Sequence, residues 1–259
     1  MATPAPQVVV AESADQLADD VAGRLVATLV AAQAVRPLAY LAVTAGSIIE
    51  QVLKALRTLP VRDSIDWQRV SMWWADERFV AVDSADRNDL PAFAALFDHV
   101  DLNPANIHRM PASGAEFGDD ADAAALAYAA ELAAAVPESQ DAHDDVPHFD
   151  VVLLGLGPDG HCASLFPEQP GVYETVPSVI AVHDSPKPPP TRTSFTFRTL
   201  DAANEIWLIA AGTGKANAVA MALSGAAKEE VPSAGPRGRY RTLWLIDKDA
   251  AAELPTIAS

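Results

Sequence analysis

At 259 residues, half of them apolar, the chain can bury a sizeable core as one large domain or two small ones, and no apolar run is long enough to span a membrane. Against 35 Asp and Glu it carries 18 Lys and Arg, a net charge of −17, which repels nucleic-acid backbones and anionic membrane surfaces and argues against both as partners. Its one cysteine, Cys162, excludes an internal disulfide framework and a cysteine-built zinc site.

The opening residues, Met1 to Pro6, have no basic n-region and no apolar h-region, so a cytoplasmic protein is expected. Val8 to Glu12 reads as a strand, and Ser13 with Gln16 forms a capping box that opens a helix to about Val35. Leu38 to Val43 is a second strand, followed by the small-residue turn Thr44 to Ser47 and an amphipathic helix from Ile48 to Leu59. Val70 to Trp74 is a third strand ending at Asp76-Glu77-Arg78. Leu90 to Phe97 suits a helix with Pro91 in its first turn, and a short strand follows near Ile107 to Met110.

The alanine-rich run Asp119 to Val136 is helical by propensity, with acidic residues at its amino end and Pro137 as its stop. After a polar, acidic link from Glu138 to His148 come strands at Val151 to Leu154, Val179 to Val182, Thr193 to Phe197, Ile206 to Ala210 and Leu243 to Ile246. Lys215 to Leu223 is helical, and Lys248 to Leu254 closes the chain. Strands alternating with helices predict an α/β sandwich with a mostly parallel sheet, one domain over residues 1–259.

Chemistry is expected where apolar strands end, because open α/β sheets bind ligands at the carboxyl ends of their strands. The strand Val151 to Leu154 is apolar on both faces and runs into Gly155-Leu-Gly-Pro-Asp-Gly-His161, which delivers a histidine to that edge. Asp76-Glu77-Arg78 would lie on the same edge, where a guanidinium can hold an oxyanion or carboxylate; the alternative is a solvated charge run. Lys187 and Arg192 sit in a stiff proline-rich segment, and Gly212-Thr-Gly-Lys215 offers N–H groups, a hydroxyl and an ammonium to an anion.

Other patterns are weaker. Gly155 to Gly160 matches G-x-G-x-x-G, but Pro167 and Pro170 leave no room for the helix that a pyrophosphate requires. Cys162 reads as a small buried thiol rather than a nucleophile. His143 and His148 among Asp141, Asp144 and Asp145 have the composition of a metal cluster but the setting of a solvated link. His99, His108 and His183 have no chemical neighbours that raise them above surface or core residues. No cofactor and no metal are expected.

In order along nearly the whole chain, Trp74 to Val80, Gly155 to His161, Ala163 to Pro167, Ser185 to Pro189 and Leu243 to Ala250 resemble the 6-phosphogluconolactonase family. The resemblance implies a three-layer α/β/α, modified Rossmann-like fold, shared with glucosamine-6-phosphate deaminase and ribose-5-phosphate isomerase, without a dinucleotide. It implies hydrolysis of 6-phospho-D-glucono-1,5-lactone in the oxidative pentose phosphate pathway. His161 would be the general base, with Arg78 and Asp76 as its catalytic companions. Thr44, Gly46, Ser47, Glu77, Asp159, Gly160, Lys187, Arg192 and Lys215 would bind the substrate or shape its site.

Arg78 and Phe166 separate the chain from the deaminase pattern, which has tyrosine and a catalytic glutamate at those places. The turn Thr44-Ala45-Gly46-Ser47-Ile48-Ile49 departs from the usual Ser-Gly-Gly-Ser-Thr-Pro, losing a hydroxyl and gaining a Cβ where backbone should approach phosphate. Two functions follow: a lactone hydrolase, or a non-catalytic phosphosugar-binding protein. The expected partner is a small-molecule phosphosugar lactone, and the chain is expected to be a monomer or a weak homo-oligomer.

Overall fold

The computed structural model describes residues 4–141 and 144–255, so His143 lies outside the described residues. The chain opens with β1 (Gln7–Ala11), α1 (Ala14–Val35), β2 (Ala39–Val43) and α2 (Ser47–Thr58). Ser13 caps α1 by accepting the N–H of Gln16, whose own side chain accepts the N–H of Glu12. One donor left open by helix geometry, the Gln16 N–H, is thereby met, and the chain just before the cap is tied back to the first turn. Leu17, Val21, Leu25 and Leu29 recur at helical spacing as the buried stripe of α1, and burial of each such side chain contributes roughly 1.5–3 kcal/mol.

Next come β3 (Val70–Trp74), β4 (Asp76–Arg78), α3 (Asp89–Ala95), β5 (Ile107–His108) and α4 (Ala121–Ala134). Asp120 caps α4 through the N–H of Ala123. The Tyr128 hydroxyl ties that helix to the end of β3, accepting the N–H of Trp74 at 3.1 Å and donating to the carbonyl of His108 at 2.8 Å. The last third holds β6 (Val151–Gly155), β7 (Val179–Val182), β8 (Arg192–Phe195), α5 (Phe197–Asp201), β9 (Glu205–Ala210), α6 (Ala216–Leu223) and β10 (Arg241–Asp247).

Seven strands form one parallel sheet in the order β1-β10-β9-β6-β2-β3-β5, flanked by helices. β2 and β3 are buried along their whole length and β6 over its first four residues, as strands covered on both faces must be. From β2 the chain moves outward to β3; from β6 it moves the other way, to β9. The carboxyl ends of β2 and β6 therefore flank the point where connections diverge, which is where such sheets open a crevice.

The expected parallel sheet is accompanied by a second one that strand patterning did not separate. β4, β8 and β7 form a three-stranded antiparallel sheet, pairing Asp76 with Ser194 and Arg78 with Arg192. The charge triplet is thus a strand in its own right. Phe197, expected to end a strand, opens α5 instead, and Lys248 to Leu254 is a series of turns, begun where the Asp247 carboxylate accepts the N–H of Ala250.

Candidate active site

A cavity of about 310 Å³ opens at the carboxyl ends of β2, β6 and β9, and Thr44, Gly46, Ser47, Asp76, Arg78, His161, Lys187, Arg192 and Lys215 all line it. Residues distant in sequence reach it for three reasons. β2 and β6 are neighbours in the main sheet, β4 and β8 are paired in the small one, and the turn after β9 carries Lys215.

His161 is positioned by its own turn. The Gly157 N–H donates to the His161 carbonyl at 2.9 Å, and the Gly160 N–H donates to the Gly157 carbonyl at 3.0 Å. A Cβ on Gly157 would lie 2.1 Å from the imidazole and 2.2 Å from the Asp159 carboxylate, so only glycine lets the two side chains meet. They do so at 2.5 Å, Asp159 Oδ1 to His161 Nδ1. With Nδ1–H donated to a carboxylate, Nε2 is the ring nitrogen left to accept a proton.

Lys187 Nζ completes the group, 3.0 Å from Asp159 Oδ1 and 3.1 Å from His161 Nδ1. Burial alone would raise the Asp159 carboxyl, but the hydrogen bonds and charges of His161 and Lys187 outweigh it and hold the group well below the usual carboxylate range. Asp159 itself contacts His161 and Lys187 and is not part of the cavity lining. Gly160, expected among the substrate-binding residues, also lies off the lining: its φ of +80° and the nearness of Val231, 2.7 Å from a Cβ placed there, make it a shaping residue.

Side chains alternate along a strand, and β4 uses the alternation to divide its charges. Asp76 and Arg78 face the cavity, whereas Glu77 faces away. Its Oε1 accepts the N–H groups of Arg78 at 2.8 Å and Asn88 at 2.6 Å, and its Oε2 accepts that of Asp89 at 3.0 Å. Arg87 lies 3.5 Å from Oε2 and pairs in turn with Asp89. Burial pushes the Glu77 carboxyl up to about 7 against the pull of Arg87 and these N–H groups. The expectation that Glu77 binds substrate is corrected: it clamps the loop between β4 and α3.

Thr44 lines the cavity, and its hydroxyl donates to the Leu153 carbonyl at 3.3 Å and accepts the Gly155 N–H at 2.9 Å, joining β2 to β6. Gly46, at φ +136°, caps α2 and turns the chain so that Ser47 begins that helix. Lys215 also faces the cavity; burial first and the neighbouring Lys187 second lower its pKa.

Arg192 is buried and donates to the carbonyls of Pro189 at 3.1 Å, Lys187 at 3.0 Å and Pro188 at 3.3 Å. Its guanidinium lies over the Phe166 ring, whose other neighbour is the imidazole of His161 at 4.6 Å. The position where the deaminase pattern needs a carboxylate is therefore an apolar support shared by two site residues. Cys162 is fully buried, and burial pushes its thiol far above the ordinary range, against a role as nucleophile.

Two participants were missed. Asn88 lines the cavity and donates from Nδ2 to the Asp76 carbonyl at 3.0 Å. The Ser164 hydroxyl donates to Asp76 Oδ2 at 2.8 Å. Ser164 lay inside a motif already singled out, whereas no local pattern marks Asn88. At the opposite end of the sheet, His148 pairs with Asp144 at 3.2 Å and contacts Arg239.

The family model for glucosamine-6-phosphate isomerases/6-phosphogluconolactonase matches residues 12–244. A 6-phosphogluconolactonase of Streptomyces coelicolor is 53% identical over 251 residues, 96% of this chain and 95% of that protein. The structure of a 6-phosphogluconolactonase from Trypanosoma brucei superposes with a TM-score of 0.81 at 26% identity, covering 98% of this chain and 100% of the other. A monomeric glucosamine-6-phosphate deaminase of the NagB superfamily superposes with a TM-score of 0.73 at 20% identity, covering 95% and 99%, which shows a shared fold.

Proposed function

The chain belongs to the glucosamine-6-phosphate isomerase/6-phosphogluconolactonase family and is a lactone hydrolase of the 6-phosphogluconolactonase type, and on that premise we propose that it opens 6-phospho-D-glucono-1,5-lactone to 6-phospho-D-gluconate with His161 as general base. The observation that carries this reading is the Asp159–His161 pair at the cavity, with Nδ1 tied to a carboxylate and Nε2 left to accept.

His161 Nε2 takes a proton from water as the oxygen attacks the lactone carbonyl. The imidazolium so formed is held by Asp159, and the negative charge developing on the carbonyl oxygen is met by Arg78. Collapse of the tetrahedral intermediate breaks the bond to the ring oxygen, which leaves with the proton that His161 returns. One residue thus serves both halves without net change in the protein.

Phosphate is held in the same cavity by Lys215 and Arg192, with the N–H groups at the start of α2 behind Gly46 and Ser47. Asp76 Oδ1, buried and without a partner among the described residues, is left to accept a sugar hydroxyl. The reaction belongs to the oxidative pentose phosphate pathway. A coupled assay with the purified chain tests the reading, with spontaneous lactone hydrolysis subtracted. Turnover above that background is expected, whereas calorimetric binding of 6-phosphogluconate with no turnover would reduce the chain to a phosphosugar-binding protein.

A further inference from the structure

Ser164 is 1% exposed and is fixed from three directions. Its N–H donates to Ser194 Oγ at 3.1 Å, its hydroxyl donates to Asp76 Oδ2 at 2.8 Å, and Arg192 Nη1 approaches the same hydroxyl at 3.5 Å, the outer limit of a hydrogen bond. The backbone before it is also constrained: Ala163 is not glycine, yet has φ of +48°, a left-handed conformation that persists where surroundings enforce it. Asp76 is 4% exposed, its Oδ1 has no partner among the described residues, and its Oδ2 is held by this one hydroxyl. A buried carboxylate with so few donors takes its orientation from the group that remains.

We propose that Ser164 is a positioning residue, whose hydroxyl fixes Asp76 toward the sugar and links it to the phosphate-side cation Arg192. The inference rests on the lactonase reading and deepens it. Because Asp76 does not meet the phosphate, loss of the hydroxyl impairs both phosphorylated and unphosphorylated lactones. Because Arg192 does, the phosphorylated lactone suffers an additional rise in KM.

Ser164→Ala tests this, with Ser164→Cys, nearly isosteric and a poor hydrogen-bonding group, carrying the same test should the alanine variant not fold. Hydrogen bonds to charged groups imply a fall in kcat/KM of about ten- to a hundredfold on both lactones. Combined with Asp76→Asn and assayed on the unphosphorylated lactone, where the Arg192 link plays no part, the serine change should add less than about twofold, since residues acting as one unit do not contribute independently. Wild-type kcat and KM in a folded variant would overturn the inference, as would losses that multiply with Asp76→Asn on the unphosphorylated lactone, or a lowered melting temperature with unchanged kinetics. An inactive wild-type chain would remove the lactonase reading together with this inference. An active wild type matched by Ser164→Ala would remove the inference alone.

Discussion

Behind β4, Glu77 is enclosed with Arg87, Asp89 and Arg109, while at the cavity Asp159 meets His161 and Lys187. Both groups set carboxylates against cations, yet the Glu77 carboxyl is raised to about 7 and the Asp159 carboxyl is held far below its usual range. In the first, full burial outweighs a cation 3.5 Å away; in the second, partial exposure and two close donors decide the outcome. The same residue types therefore make a loop clamp in one place and, in the reading proposed, a proton-handling pair in the other. Distance to the donors and access to water decide which.

The sharpest way to break this contrast is at the imidazole. His161→Ala should lower kcat on the phosphorylated lactone by about 10²–10⁴ with the fold intact, the usual worth of a positioned general base. Wild-type turnover would end the assignment. Asp159→Asn should come next, with kcat down by about ten- to a hundredfold and KM little changed, because a charged partner of the imidazolium is replaced by a neutral one. Steady-state kinetics beside a thermal melt would show whether the loss is catalytic.

Lys215→Ala should act on binding instead. It is expected to raise KM for the phosphorylated lactone by about tenfold or more while leaving unphosphorylated gluconolactone almost unaffected. Equal losses on both lactones would place the phosphate elsewhere. Arg192→Ala is a less clean probe of the same point, because that guanidinium also braces the carbonyls of Lys187, Pro188 and Pro189.

Glu77→Gln should have the smallest kinetic effect, about tenfold or less, and show itself in stability. Between its ordinary value of 4.5 and about 7, the folded chain keeps a proton that the unfolded chain has released. The stability that neutral Glu77 contributes is therefore fully present below about pH 4.5 and is lost as pH rises through about 7. Glutamine is neutral throughout. Urea unfolding at pH 5 and pH 8 should show wild type losing up to about 3 kcal/mol relative to the variant, and parallel curves would contradict the raised carboxyl.

What could be seen in the sequence was whatever is local. The run from Val151 to His161 carries strand, turn and histidine within a few residues, so the place of His161 followed from pattern alone. The side on which Glu77 lies did not follow, because it depends on β4 pairing with β8 more than a hundred residues later. Thr44 was expected in the substrate-binding turn, and the use of its hydroxyl on Leu153 and Gly155 appears only when β2 and β6 are side by side. Asn88 and Ser164 escaped for the same reason. Their partner, Asp76, is a neighbour in space and not in the chain.

Cys162, the single cysteine of the chain, is next to His161 and bridges to both Leu156 and Leu165, wholly enclosed. Its enclosure makes it a gauge placed by the fold itself. A thiol reagent can modify the native protein only at moments when this particular loop opens. The rate of that modification, followed with and without a bound sugar phosphate, would report how often the turn carrying His161 comes apart and how firmly a ligand holds it shut, with no substitution made in the chain.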